Sequence, residues 1–203
     1  WEGGKHWSEV LADDALEFIN DAKKQEDPFF MYLAFNAPHD PRQAPKKFID
    51  LYPINSIKLP KNYSPQHPYM KEIGNMPGLR DEALAPYPRS EYAVKKHIQE
   101  YYAIISHLDE QVGKIIDHLD DKEMLDNTYI IFTSDHGNNF KTRNREYKRS
   151  CHESSIRVPT SLIGNVFQQG GRLKELTNIL DIHATILDLA KVKNTSHCDG
   201  KSV

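Results

Sequence analysis

The chain predicts an α/β fold with a mostly parallel central sheet, and three observations carry that prediction. Helical periodicity over 8–24, 90–119 and 181–189 alternates with short apolar runs at 29–35, 129–133 and 158–163. Those runs have the length and composition of strands. One of them, Tyr129-Ile130-Ile131-Phe132, passes directly into Thr133-Ser134-Asp135-His136-Gly137. A buried parallel strand that ends in an acid, an imidazole and a glycine carries two ligating side chains to the carboxyl edge of a sheet, where open α/β folds place their chemistry. Asp135 and His136 are therefore the first candidates for a metal site; a polar turn with an Asp/His helix cap is the plain alternative.

The chain's 203 residues suffice for one domain with a real core. Hydrophobic residues at 38% and charged residues at 27% suit a globular chain rather than a disordered one. The net charge of -3 opposes a general nucleic-acid binder and leaves room for a local basic pocket. No apolar run approaches the roughly 20 residues of a membrane span. The start, Trp1-Glu2-Gly3-Gly4-Lys5-His6-Trp7, has no initiator methionine and no apolar leader core, so the chain reads as the inside of a longer one. Cys151 and Cys198 form neither a disulfide framework nor a metal spacing. Cys151 sits among Lys148, Arg149 and His152, a setting that lowers thiol pKa values, although a passive cysteine is the favoured reading.

Taken in order, the first helix covers 8–24, with Ser8 as the expected N-cap and Val10, Leu11, Ala15, Phe18 and Ile19 near helical spacing. Asp27-Pro28 ends it. Phe29 to Phe35 is an unbroken apolar run, expected to be a buried strand. It gives way to Asn36-Ala37-Pro38-His39-Asp40-Pro41, a turn-prone stretch that leaves His39 just past a strand end. Residues 41–90 hold most of the prolines, interleaved with Tyr52, Tyr63, Tyr69 and Tyr87. A long aromatic-bearing excursion of this kind is expected to cover the rim of a site and help choose its substrate. The helix over 90–119 carries a broad apolar stripe: Tyr92, Val94, Ile98, Tyr101, Tyr102, Ile105, Leu108, Val112, Ile115, Ile116 and Leu119. His97, His107 and His118 are scattered along it and read as surface or satisfied core residues, not ligands. After the strand at 129–133 comes a basic stretch over 138–157, then a short strand from Val158 to Ile163 whose Pro159 suggests a sheet edge.

Three groups thus converge on one expected sheet edge: His39, the Asp135-His136 pair, and the basic cluster around Lys148. Acid plus imidazole suits a divalent cation. Cations around it suit a tetrahedral oxyanion such as sulfate or phosphate, the alternative for the basic run being a solvated loop.

With these residues in hand the chain resembles the sulfatase family of the alkaline phosphatase superfamily. The resemblance runs through Pro28 to Pro41, through Ile131 to Gly137, through Lys148-Arg149-Ser150-Cys151-His152-Glu153-Ser154-Ser155-Ile156-Arg157-Val158-Pro159, and through Asp181 to Ala190 with Asp199-Gly200-Lys201-Ser202-Val203. Four pieces in order and spacing make the signal. Asp40-Pro41-Arg42-Gln43-Ala44-Pro45 with Leu51-Tyr52-Pro53 looks closest to choline-sulfatase and iduronate-sulfatase types.

The resemblance implies an alkaline-phosphatase-like three-layer sandwich, here partial. It implies that Asp135 ligates one calcium ion and that His136 takes the next metal position. Lys148 would contact the sulfate, and His39 would bind it from the other side and protonate the departing alcohol. Glu153 and Arg157 match a motif that braces the loop. Lys141, Arg143 and Arg145 have no family role and are proposed as contacts for an anionic substrate. A periplasmic or extracellular location is the family expectation.

The departures are as telling. The family's Cys/Ser-x-Pro-x-Arg motif, whose first residue becomes formylglycine, is absent, as are its early Asp-Asp ligands. The expectation is the later portion of a catalytic domain, 1–203, inactive alone and lacking a C-terminal subdomain, whose parent hydrolyses a sulfate ester, with a sulfated sugar favoured over choline sulfate. A two-metal phosphoesterase or phosphodiesterase, and a degenerate module that binds sulfated glycans, are the alternatives.

Overall fold

The computed structural model describes residues 4–66, 88–139, 148, 151–167, 170–193 and 198–203. They fall into two compact units, Trp1–Gly164 and Asn165–Val203.

The first unit is organised along its longest helix. The elements are α1 (Trp7–Ala22), α2 (Lys46–Ile49), α3 (Glu91–Asp121), β1 (Ile130–Phe132), α4 (Glu153–Ile156) and β2 (Ser161–Ile163). Ser90 starts α3 by accepting the Ala93 N–H at 3.2 Å. Its 31 residues give a rod of roughly 46 Å at about 1.5 Å per residue, long enough to support three separate clusters. Near its start, Val94 and Ile98 pack with Ile57. In the middle, Ala103 and Ile104 pack with Ala37, Ala44 and Phe48. Toward its end, Ile115 and Leu119 pack with Ala12, Ala15 and Ile19 of α1.

The predicted stripe on α3 is right at Val94, Ile98, Ile115 and Leu119, which are buried, but Tyr92, Tyr102 and Ile105 are exposed. Gln99, His107 and Gln111 take inner positions instead. Polar side chains can do so because they are hydrogen-bonded there: Gln99 Nε2 donates to the Tyr52 carbonyl at 2.7 Å.

Each of the three histidines of α3 has a side-chain partner from another element. His107 Nε2 meets Glu9 at 3.1 Å, His118 Nε2 meets Asn20 at 3.0 Å, and His97 Nδ1 meets Arg42 at 2.9 Å. Glu9 to Asn20 and His107 to His118 advance equally along their helices, so α1 and α3 run side by side in the same direction. The N-cap of α1 is His6, not Ser8: His6 Nδ1 accepts the Ser8 N–H at 3.1 Å. An imidazole nitrogen replaces the usual hydroxyl, and Ser8 is buried in the first turn.

His107 yields a prediction about stability. Its side chain is 0% exposed, the His6 ring stands edge-on 4.4 Å from it, and burial pushes its pKa below the ordinary 6.5, with the positive potential of His6 adding and Glu9 opposing. A folded pKa below the unfolded one means that the unfolded chain binds the proton first. Stability is therefore full above about pH 6.5 and falls as pH drops through the window below it, by at most about 1.4 kcal/mol per pH unit. Urea midpoints should decline between pH 7.5 and 5.5, and His107→Gln should flatten that decline. An unchanged slope in the variant would reject the assignment.

Two sheet expectations need correction. Residues 29–35 are extended but pair with no strand among the described residues, and they are not buried on both faces. Phe29, Met31, Leu33 and Phe35 pack against the α1–α3 cluster, while Phe30 and Tyr32 are 68% and 81% exposed. The period is two, hidden by a run in which outward positions are also apolar. The strand over 129–133 is shorter, Ile130–Phe132, and pairs antiparallel, not parallel, with Ser161–Ile163 (Ile130 with Ile163, Phe132 with Ser161).

The second unit centres on α5 (Ile179–Leu189), which starts two residues before the predicted Asp181. Asn178 and Asp181 form a capping box. Asp181 also accepts the Lys201 N–H at 2.9 Å, and these backbone donors hold its carboxyl below the usual carboxylate range. Val203 N–H reaches Thr185 Oγ1 at 3.2 Å, so the Asp199-to-Val203 segment is laced along the helix. Gly200 is obligatory, because a Cβ there would lie 2.8 Å from the Asp181 nitrogen and closer still to the Leu180 carbonyl.

Candidate active site

The site starts from two chain ends that secondary structure delivers. The extended segment 29–35 ends in a turn closed by His39 N–H donating to the Asn36 carbonyl at 2.8 Å. The Ala37–Pro38 and Asp40–Pro41 peptides are cis. Ala37 and Ala44 sink into the cluster against α3, which leaves His39 exposed at the loop's tip.

Lys148 comes to meet it. Its Nζ lies 3.2 Å from His39 Nε2, across a sequence separation of 109 residues. His39 Nδ1 lies 2.9 Å from the Asp40 carbonyl. A carbonyl only accepts, so Nδ1 carries the proton; an ammonium only donates, so Nε2 offers its lone pair. The neighbours thus fix the tautomer of His39 and point Nε2 at a cation. An imidazole and an ammonium side by side on an exposed surface suit an oxyanion that touches both.

Asp135 and His136 follow β1. Asp135 Oδ1 accepts the His136 N–H at 2.9 Å, and Oδ2 faces His136 Nε2 at 3.5 Å. His136 Nδ1 donates to the Gly137 carbonyl at 2.7 Å. With the proton committed to Nδ1, Nε2 and Oδ2 present lone pairs on the same side of the turn, an arrangement that could receive a cation. An imidazole whose far nitrogen is held by a carbonyl is the usual dress of a metal-ligating histidine. Among the described residues no group of three or more His, Cys, Asp or Glu converges on one point. The pair offers an oxygen suited to a hard cation and a nitrogen suited to a borderline one.

The turn is pinned to α4. Gly137 N–H donates to the Ser155 carbonyl at 2.7 Å, and Ser154 Oγ hydrogen-bonds the buried Asn139. Bracing therefore comes from Ser154 and Ser155. Glu153 and Arg157, expected to brace this loop, pair with each other at 3.3 Å on side chains that are largely exposed. Cys151 is a free, exposed thiol. Lys141, Arg143 and Arg145 lie outside the described residues, so of the basic cluster it is Lys148 that is seen to join His39.

Sequence reasoning missed Asp40 and Arg42. They form an ion pair at 2.8 Å beneath His39 with side chains 6% and 2% exposed. The available signal was the charged pair flanking Pro41 directly after His39.

These features define an α/β domain of the kind found in sulfatases and phosphonate monoester hydrolases. The phosphonate monoester hydrolase of Silicibacter pomeroyi superposes with a TM-score of 0.81 at 20% identity, covering 98% of this chain and 40% of that one. A protein solved in complex with its substrate D-glucosamine-2-N,6-O-disulfate superposes with a TM-score of 0.74 at 17% identity, covering 98% of this chain and 51% of that one. The chain belongs to the sulfatase family, whose model, described as Sulfatase, matches residues 1–192. A Formosa agariphila sulfatase is 32% identical over 93% of this chain, and the choline-sulfatase of Rhizobium meliloti is 34% identical over 81%. The chain spans 37% and 32% of those two relatives' lengths.

Proposed function

We propose that this chain is the later portion of the catalytic domain of a sulfuric ester hydrolase that acts on a sulfated sugar. The observation that carries the reading is the 3.2 Å approach of Lys148 to His39. Lys148 neutralises charge on the sulfate and on the departing oxygen. His39, with Nδ1–H tied to Asp40, takes a proton from solvent on Nε2 and passes it to the departing ester oxygen as the sulfur–oxygen bond breaks.

Asp135 and His136 hold part of a calcium site; when bound, the ion supplies Lewis-acid polarisation of a sulfate oxygen. A formylglycine outside this chain supplies the nucleophile, so the 203-residue chain alone is expected to turn over no substrate. A sulfated sugar is favoured by the disulfated glucosamine bound in the structural relative and by the basic stretch Lys141, Arg143 and Arg145, which we assign to substrate contact. A phosphoesterase of the same superfamily is the second reading, favoured by the nitrogen donor of His136.

The test is an assay of the longer protein bearing this chain on an aryl sulfate and an aryl phosphate, with calcium and with a chelator. Calcium-dependent sulfate release, abolished by Asp135→Ala, is the expected result. Faster phosphate release with a preference for zinc would move the assignment to the phosphoesterase.

A further inference from the structure

An exposed imidazole at a loop tip keeps one orientation only if the loop beneath it is held. Here the hold is a buried charged fork. Arg42 Nη2 meets Asp40 Oδ1 at 2.8 Å, and Arg42 Nη1 donates to His97 Nδ1 on α3 at 2.9 Å. The guanidinium also lies over the Tyr101 ring, 5.6 Å from its centroid.

A buried ion pair is weak as a source of stability, since an apolar side chain of similar volume does as well or better. Burial lowers the pKa of Arg42, and Asp40 and Glu100 oppose that shift. What a planar fork adds over an apolar filler is direction. Asp40 links the fork to the site: its carboxylate is held by Arg42, and its carbonyl receives His39 Nδ1–H.

We propose that Arg42, seated between Asp40 and His97, is a positioning residue that fixes the Asp40 carbonyl and so holds His39 as its Nδ1–H tautomer with Nε2 turned to the site. The catalytic consequence rests on the reading of His39 as the leaving-group acid. Without the fork the carbonyl turns, Nδ1 loses its acceptor, and the imidazole samples both tautomers and other rotamers. Proton delivery suffers, while reactions that need no proton delivery proceed.

The experiment uses the longer protein and aryl sulfates whose leaving phenols range from acidic to weakly acidic. Arg42→Met is expected to stay within a few-fold of wild type on 4-nitrophenyl sulfate and to lose about 10- to 100-fold on the weakly acidic phenols. His97→Leu should follow the same trend, and it remains available if Arg42→Met fails to fold. His97→Gln, whose amide oxygen accepts from Arg42, should restore wild-type behaviour. An equal loss on every leaving group would overturn the proposal.

A second readout is independent of activity. In protein labelled with ¹⁵N-histidine, the His39 ring nitrogens should report a protonated Nδ1 in wild type and His97→Gln, and averaged tautomers in Arg42→Met and His97→Leu. Retention of the Nδ1–H form in those two folded variants would sink the inference. Should His39→Ala show no leaving-group dependence, the acid role fails by itself, and the nitrogen shifts still decide whether Arg42 positions the ring.

Discussion

Lys148→Ala in the longer protein is expected to lower kcat/KM for an aryl sulfate by roughly 10²–10³, or about 3–4 kcal/mol at the transition state. The sulfate ester carries one negative charge before reaction, and more accumulates on the bridging oxygen as the bond to sulfur breaks. An ammonium at that oxygen gains interaction as the charge grows, so kcat should fall more than KM rises. Lys148→Arg is not a conservative rescue. Its planar guanidinium cannot occupy the point that Nζ takes 3.2 Å from His39 Nε2 without displacing the ring. Steady-state kinetics on the variant decides the matter. A loss under threefold would remove Lys148 from the reacting centre.

The closeness of the pair has a second consequence. Side chains in contact give non-additive losses. Lys148→Ala with His39→Ala should therefore cost less than the product of the single effects. Once the lysine is gone, Nε2 of His39 has lost the cation that orders it. A double-mutant cycle on one substrate measures this coupling directly.

The parts of the site that are local in sequence were legible, and the parts made by folding were not. A strand ending in Asp135-His136-Gly137 could be read because an apolar run and a polar stop are neighbours in the chain, and β1 ends where expected within a residue. The meeting of Lys148 with His39 has no local signature: strand ends and charge placed both at one sheet edge, and the family resemblance implied that they share one anion. Arg42 was missed because charged side chains are almost always exposed and because the flanking prolines made the whole stretch look like a plain turn. The 29–35 run was misread for a related reason. Composition reports how apolar a segment is, whereas burial depends on what covers it, and here Phe30 and Tyr32 face outward while Phe29 and Met31 face in. Strand direction is likewise not written in hydropathy: β2 pairs antiparallel to β1 although its residues read no differently from a parallel neighbour.

Gly137→Ala is expected to damage both stability and metal affinity, because the position is closed by backbone. A Cβ there would sit 2.9 Å from the Ser154 carbonyl carbon and 3.2 Å from the Arg157 carbonyl oxygen, and closer still to the Ser154 oxygen. No side chain can rotate away to relieve it. The residue's φ is not the issue, since Gly137 is not among the positive-φ glycines; space alone demands glycine. Relief requires moving α4 or lifting the turn, and either breaks the 2.7 Å bond from Gly137 N–H to Ser155. The Gly137 carbonyl also receives His136 Nδ1–H, so lifting the turn frees the imidazole. Overpacking of this kind costs about 1–3 kcal/mol, and the lost hydrogen bond adds about 1 kcal/mol. Thermal unfolding should register the first effect and calcium titration of the longer protein the second. Ser154→Ala is the control: it removes the hydroxyl bound to Asn139 but keeps the carbonyl, so its cost should stay near 1 kcal/mol, at about the worth of one hydrogen bond. Ser154→Gly should not rescue Gly137→Ala, because the clash is with the carbonyl and not the side chain. A Gly137→Ala protein as stable as wild type would show that α4 does not lie where this close packing places it.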